Sequence, residues 1–592
     1  MPVTELTGDL LFDTFVSGGH RVIENQLHLN RINVFPVPDG DTGSNLAFTF
    51  SSILENGRAY ASAAQTMRSI AEQALIGARG NSGIIMAQFF TGLSEGFGEA
   101  NVVSPDEFGK AVDRAVDRAY QALSHPVEGT MLTVIRDWAQ AVAEMCHKAS
   151  DFSHLFHRTI HAALESLKQT PEKLRVLKEA RVVDAGAEGF VHFLQGAFEF
   201  FRSGKVDRKR RDPAALAAAA HEEFVLDGRI PHRFCTEALI RGAGIDQRRL
   251  ADDLKRYGDS LIVAGSPDFV RIHIHTDSPT AVIEHLRPLG NLVQQKADDM
   301  LRQQEVVYRR KYPIALVTDS VCDLPQDLVD RYQIHRVPLT LSFGENQYLD
   351  RLTITADQFY TLLDQKPEYP RTAQPSPDLF RRLYSFLAAH YESIIAIHLS
   401  SRLSGTWNVS RLEAQRRDEK EITVIDSRHL SGSLGLLVLR AAEEIAAGRS
   451  HAEVVRCVET SRDKARIWVS VQNLEYMVKG GRVSPLKGVM GRLLNLKPIV
   501  SVDTEGKSVL YGKAFSRSAN RRKILRMVAG FHEQSPLRYW AVVHAHAPAL
   551  AESFARGVER LVGTPPIYQM DISPVVGVSA GIGAVAVAAL QE

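Results

Sequence analysis

The chain has 592 residues, too many for one hydrophobic core, so several domains are expected. Hydrophobic residues make up 44% and charged residues 23%, ordinary globular proportions, and the formal net charge of +1 lacks the basic excess of a nucleic-acid-binding protein. The four cysteines, Cys146, Cys235, Cys322 and Cys457, are scattered without a Cys-x-x-Cys pair, which predicts reduced thiols and a cytoplasmic protein.

In chain order, "MPVTELTGDLLFDTF" has no basic stretch ahead of an apolar one, so no secretory signal is expected. Residues 1–205 predict an all-helical domain, because "SAAQTMRSIAEQAL", "DEFGKAVDRAVDRAYQAL" and "FHRTIHAALESLKQT" carry apolar residues at helical spacing. Residues 206–222, with "RKRR" and a proline, predict an exposed linker. Residues 223–308 contain short strand-like runs, "FCTEALI", "DSLIVAG" and "FVRIHIHT", and predict a small α/β domain. Residues 312–592 alternate apolar runs ending in Ser, Thr or Asp with helical patterns, which predicts an α/β domain with a parallel sheet. The late run "VVGVSAGIGAVAVAAL" is Gly-rich and short, so a buried strand or loop is expected and no transmembrane segment; membrane contact would be transient.

"NVFPVPDGDTGSN", residues 33–45, sets Asp39 and Asp41 two apart on a tight loop. An EF-hand would need Gly and Glu where Ser44 and Phe50 stand. An aspartate nucleophile usually ends an apolar strand, and "PVP" precedes this pair. A magnesium site for a nucleotide needs one or two carboxylates, which Asp39 and Asp41 supply and to which Asn33 adds an oxygen. A plain Asp/Gly turn is the bland alternative. In "GARGNSGIIMAQFF", Gly77, Gly80 and Gly83 precede an apolar helix, where free N–H groups attract anions. "HPVEGTMLTVIRDW" and "VVDAGAEGF" place Gly129, Thr130, Asp184 and Gly186 in turns.

Taken together, these four segments resemble the nucleotide-binding L-subunit of dihydroxyacetone kinases, and more closely the kinase subunit of bacterial fatty acid kinase. The resemblance implies an eight-helix barrel that holds ATP through Mg²⁺, with Asp39, Asp41 and Asn33 at the metal-ligand places. It places Thr42, Ser44, Asn45 and the backbone of Asn81 and Ser82 at phosphate, and Thr130, Met131 and Asp184 near the rest of the nucleotide.

"RIHIHTD" places His273 and His275 on one face of a probable strand, and "FCTEA" does the same for Cys235 and Glu237. If the strands pair, thiolate and imidazoles form a zinc-type ligand set with an open position; otherwise the histidines only make hydrogen bonds on a polar face. This stretch resembles the middle domain of the same kinase subunit, where a Cys and a His-x-His are implicated in a metal site, which implies a metal here, Zn²⁺ by its ligand set; the expected role of Cys235, His273 and His275 is to orient the transfer or to hold the domain together.

Residues 312–592 carry "IALVTDSVCDLP", "RTAQPSPDLF", "IHLSSRLSGTWNVS", "VIDSRHLSGSLGLLV", "LEYMVKGGRVS" and "LLNLKPIVSVD". They resemble the DegV family of fatty-acid-binding proteins. In an open parallel sheet, ligands bind beyond the carboxyl ends of the strands. There "SSRLSGT" offers Ser401, Ser404, Thr406 and backbone N–H groups to a carboxylate, although such serines also cap helices. The resemblance implies that Thr372 and Ser404 hold the carboxylate of a long-chain fatty acid and that Arg482 stabilises incoming phosphate. A tail gaining roughly 0.8 kcal/mol per buried methylene calls for an apolar tunnel. Two departures stand out: Ser579 where the family often has a histidine, and Phe515 where an arginine is common.

The combined expectation is a fatty acid kinase-like fusion that makes an acyl phosphate for phospholipid synthesis, working through a docking motion or as a homodimer acting in trans. The alternatives are a lipid-binding or regulatory fusion without turnover, motivated by Ser579 and Phe515, and a glycerone kinase-like enzyme, which lacks its usual histidine-bearing partner domain here.

Overall fold

The computed structural model describes residues 3–35, 40–123, 126–206, 230–266, 268–366, 368–417, 420–472, 475–481 and 496–592. Two compact units emerge, one of Met1–Asp277 with Pro288–Asn291, the other of Ser278–Arg287 with Leu292–Glu592. Among the described residues no helix is long and apolar enough to cross a membrane. Nearly all of the expected linker, together with "RKRR", lies outside them.

The first unit opens with helices α1 (Gly8–Glu24), α2 (Gln26–Arg31), α3 (Thr42–Asn56), α4 (Ala63–Gly77), α5 (Gly80–Phe97), α6 (Pro105–Gln121), α7 (Met131–Met145), α8 (Phe152–Lys168), α9 (Thr170–Lys173), α10 (Arg175–Ala180) and α11 (Ala185–Ser203). Eight of these described helices have 15 residues or more, α1, α3 to α8 and α11, and they surround one core. Local chemistry sets their starts. Thr7 caps α1 through the Leu10 N–H, and Ser104 and Glu107 form a capping box with Pro105 at the head of α6. The core is rich in aromatic contacts, with Phe90 and Phe193 against each other and each against Phe15 and Phe50, and Trp138 against Phe89, Phe108, Phe156 and Phe190. Helices α5 and α6 approach closely because Gly92 and Gly96 face Ala115 and Ala111; a Cβ on either glycine would lie 2.5 Å from the facing alanine.

The same unit ends in antiparallel strands β1 (Phe234–Arg241), β2 (Gly258–Gly265) and β3 (Phe269–Thr276), with β3 between the other two. Ile262 and Ala264 of β2 join the helical core, so this sheet packs on the helices.

The second unit contains β4 (Asn291–Asp299), of which all but Asn291 belongs to it, and thirteen further strands among the described residues. Strands β5 (Ile314–Asp319), β6 (His335–Val337), β10 (Ser393–His398) and β11 (Glu421–Asp426) form an all-parallel sheet ordered β11-β10-β5-β6. Every residue of β5 and β10 is buried, as expected of central parallel strands covered on both faces. Strands β7 (Thr340–Phe343), β8 (Asn346–Leu349) and β9 (Arg371–Ala373) make a small antiparallel sheet. The last strands are β12 (Ala465–Ser470), β13 (Lys497–Val502), β14 (Ser508–Ala514), β15 (Leu537–His544), β16 (Gln569–Asp571) and β17 (Val585–Gln591), in a six-stranded sheet ordered β14-β13-β12-β17-β15-β16. This sheet is antiparallel except between β15 and β16. The late Gly-rich run divides into helix Pro574–Ala580 and the buried strand β17.

Candidate nucleotide, metal and lipid sites

The four motif segments of the helical region meet in the first unit. Asp41 stands at the head of α3 with its carboxylate making no cap hydrogen bond, so the group is not consumed by its own helix. Asn33 is buried in the preceding loop, and Asp39 lies outside the described residues. Thr42 and Asn45 are buried in the first turn of α3. Ser44 Oγ accepts from Gln26 Nε2 and Asn30 Nδ2, each at 3.0 Å, which fills its acceptor positions and leaves its proton to donate. Gly80 has φ +57°, and a Cβ there would collide with Asn45 Nδ2, so only glycine lets the start of α5 close onto α3. The Gly80 N–H is taken by Glu237 and the Gly83 N–H by the Arg79 carbonyl. Asn81 and Ser82 supply the remaining first-turn amides, and Asn81 Oδ1 is buried without a partner. A Cβ on Gly186 would lie 2.8 Å from Ser82 Oγ, 3.3 Å from Asp184 Oδ1 and 3.4 Å from Met131 Cε, so these residues lie side by side. Thr130, at the head of α7, donates to the Val127 carbonyl at 2.7 Å. An uncommitted carboxylate, a buried asparagine and an orphaned amide oxygen fit a hard cation with phosphate oxygens.

Asp184 does structural work at this site. Its carboxylate caps α11 through Ala187 N–H at 2.8 Å and also accepts from the backbone N–H groups of Met131 and Gly186. Burial still dominates and raises it from 3.8 to about 6. The fold therefore prefers the protonated acid. Its contribution to stability is fully present below about pH 4 and is lost as pH rises through 6, a change on the order of 3 kcal/mol. Asp184→Asn should remove this component, so that urea unfolding of the variant gains relative to the parent at pH 7 but not at about pH 4.

In the strand region, Cys235 lies opposite His275 and Glu237 opposite His273 across the β1–β3 pair. The expected pairing holds, and one ligand atom from each of Cys235, His273 and His275 falls within 4.8 Å of the others. Burial, with neighbouring His273 and His232, pushes His275 down to about 3, which keeps it neutral at pH 7. His273 Nε2 is buried with no hydrogen-bond partner. A neutral histidine, an orphaned imidazole nitrogen and a thiol suit Zn²⁺. Asp106, Cys146 and His147 also come within 4.8 Å, but Lys110 Nζ lies 2.8 Å from Asp106 and its charge opposes a cation.

The second unit holds a cavity of about 130 Å³. Its first wall comes from residues just past the carboxyl ends of β5, β10 and β11, namely Val321, Leu399, Leu403, Leu430 and Ser431. The facing wall is the six-stranded sheet. Ile467, Val469 and Val471 line the cavity by strand alternation, while Trp468 belongs to the core on the other side. Thr372, Ser404 and Ser579 supply hydroxyls. Gln374 also lines the cavity, and its Oε1 takes the space that a Cβ on Gly405 would need. Arg482 lies outside the described residues. Phe515 is 65% exposed, and Arg517 begins helix Arg517–Gln534.

The expectation of free loop amides fails for most of them, for a local reason. Ser401 N–H donates to Asp426, Arg402 N–H to Ser400 Oγ, the Leu403 and Ser404 N–H groups to the Ser400 carbonyl, and Thr406 N–H to Ser404 Oγ. The loop folds on itself, and Ser404 Oγ also lies 2.9 Å from Thr406 Oγ1. Below it runs a buried relay: Asp319 Oδ2 is 3.1 Å from His398 Nδ1, and His398 Nε2 is 2.8 Å from Ser410 Oγ, which Tyr384 OH meets at 2.5 Å. All four are fully buried, so the relay fixes the loop's two ends and has no access to substrate.

Comparison with known proteins agrees with this division. A DAK2-domain model matches residues 36–199, a model of the FakA-like middle domain of fatty acid kinase matches 231–307, and a DegV-family model, described as uncharacterised, matches 313–592. An uncharacterized protein of Staphylococcus epidermidis is 31% identical over 320 residues, and one of Staphylococcus aureus 31% over 325, each covering 52% of this chain and 58% of the relative. The chain thus spans little more than half the length of these relatives. Among solved structures, a DegV-family protein from Thermus thermophilus, titled for fatty acid binding, is 29% identical with a TM-score of 0.44, covering 47% of this chain and all of that one. DegV from Bacillus subtilis, titled a fatty acid binding protein, is 27% identical with a TM-score of 0.44, covering 48% of this chain and all of that one. The chain thus carries, in order, regions that match the DAK2 domain, the FakA-like middle domain and the DegV family, a fusion of matches that in combination resembles a fatty acid kinase-type polypeptide joined to a DegV-family protein.

Proposed function

We propose that this protein transfers the γ-phosphate of ATP to the carboxylate of a long-chain fatty acid bound in its own C-terminal cavity, giving an acyl phosphate. The observation that carries the reading is the aliphatic cavity with Thr372 and Ser404 on its wall, on the same chain as the converging motifs around Asp41, Asn81 and Asp184. Asp41, Asn33 and Asp39 would hold Mg²⁺, which when bound neutralises phosphate charge. Cys235, His273 and His275 would hold Zn²⁺.

Thr42, Ser44 and the Asn81 and Ser82 amides orient the phosphates. A fatty acid carboxylate is already ionised near pH 7, so no base has to deprotonate it. One carboxylate oxygen bonds to the γ-phosphorus as the bond to the β-phosphate oxygen breaks, and ADP leaves with that electron pair. The residues supply position and charge. Transfer requires the two sites to meet, within one chain or between two copies. The scattered thiols suit a cytoplasmic setting.

The test is incubation of the full chain with Mg²⁺, labelled ATP and palmitate, with hydroxylamine to trap acyl phosphate as the hydroxamate. Palmitate-dependent hydroxamate is expected, with no phosphorylation of dihydroxyacetone. Ser579, which lines the cavity where the family often has a histidine, favours a second reading, a lipid-binding fusion without turnover. Bound lipid and nucleotide with no hydroxamate would establish that reading instead.

A further inference from the structure

Two buried charges clamp the turn between α4 and α5. Arg271 of β3, 2% exposed, donates from Nε to the Leu75 carbonyl at 3.0 Å and from Nη2 to the Ile76 carbonyl at 2.7 Å. These carbonyls belong to the last turn of α4, where the helix itself leaves acceptors unpaired. Glu237 of β1, 1% exposed, accepts the Gly80 N–H at 2.9 Å through Oε1, at the first residue of α5, where the helix leaves donors unpaired. Glu237 Oε2 meets Arg271 Nη1 at 3.5 Å. One ion pair thus holds both ends of a turn whose next residues, Asn81 and Ser82, face the proposed phosphate position.

The same carboxylate oxygen faces the cysteine–histidine cluster. His273 Nδ1 is 3.6 Å from Glu237 Oε1 and 3.8 Å from Cys235 Sγ, while Nε2 is buried without a partner. A histidine that gives one nitrogen to a cation commonly presents its other N–H to a carboxylate, and Glu237 is placed for that role. We propose that the Glu237–Arg271 pair is a positioning element that ties the Cys235–His273–His275 cluster to the start of α5, so that occupancy of the cluster by Zn²⁺ raises affinity for a nucleoside triphosphate. The proposal rests on the nucleotide reading above. A bound cation fixes the His273 ring, the ring fixes Glu237, and Glu237 fixes the Gly80 amide. Gly80 in turn lies against Asn45, so the same clamp reaches the Asp41 segment. Pre-ordering a binding loop lowers the cost of ordering it at binding, and such coupling acts equally in both directions.

The test measures binding of a non-hydrolysable ATP analogue with Mg²⁺ to the full chain by calorimetry, in zinc-loaded and chelator-stripped protein whose metal content is measured. The parent is expected to lose about tenfold in affinity on stripping. The double variant Glu237→Gln, Arg271→Gln, which keeps the pair neutral and hydrogen-bonded, should show the same weaker affinity with and without zinc. Cys235→Ser, which leaves the clamp intact, should match the stripped parent and guards against a double variant that does not fold. Zinc dependence persisting in the double variant, or an undiminished affinity in Cys235→Ser, overturns the coupling. A parent that binds the analogue in neither state sinks the nucleotide reading and the coupling with it, and that flat result is distinct from the others.

Discussion

Asparagine at positions 39 and 41 is expected to lower palmitate-dependent hydroxamate formation by at least about a thousandfold, while leaving fatty acid binding unchanged. The reasoning starts from charge. Phosphoryl transfer needs the negative charge on the γ-phosphate neutralised, and removal of a cation clamp costs several kcal/mol of barrier, about tenfold in rate for each 1.36. Asp41 heads α3 without capping it, so its loss should not unravel that helix, and thermal unfolding should move little. The cavity proposed for the fatty acid is built from the other unit's residues, so its ligand affinity reports nothing but itself. Activity retained within tenfold, with lipid binding normal, would refute the role of the two carboxylates.

The second large effect is at the other end of the chain. Removing both hydroxyls by Thr372→Ala and Ser404→Ala should weaken fatty acid affinity by roughly two to four orders of magnitude, because each hydrogen bond to a charged group contributes about 1.5–3 kcal/mol. Most of the loop amides around Ser404 are already bonded within the protein, which leaves few donors to compensate. Displacement of a fluorescent fatty acid measures the change. A methyl ester of the same acid should bind the parent and the double variant with similar strength, since an ester carries no charge for the hydroxyls to meet. An unchanged affinity for the free acid would place its head group elsewhere.

Much of this was readable in the sequence because the information is local. The 3.6-residue spacing in segments such as "DEFGKAVDRAVDRAYQAL" is a property of neighbouring residues, and the structure has α6 there. The His-x-His spacing implied the shared strand face, and pairing with β1 brought Cys235 to it. What was not readable depends on distant partners. Glu237 was visible beside Cys235, but the Gly80 N–H it accepts is 157 residues away, and Arg271 reaches carbonyls 195 and 196 residues away. No local pattern announces such a pair; a buried-looking arginine in the apolar run "FVRIHIHT" was the only signal. The cavity's second wall was missed for the same reason, since β12 and β17 pair across more than a hundred residues. Most of the free amides expected in "SSRLSGT" are taken by Asp426, by the Ser400 carbonyl and by the Ser400 and Ser404 hydroxyls.

That self-satisfied loop bears on turnover. A backbone N–H can only donate, and it would grip an anion in one fixed direction. A hydroxyl such as Ser404 Oγ rotates, so its one proton can be turned from one acceptor oxygen to another. Under the proposed function, the Ser404 end of the cavity would be an adaptable cradle, able to follow its guest as a two-oxygen group becomes a bulkier, more highly charged one, and to let the altered guest depart.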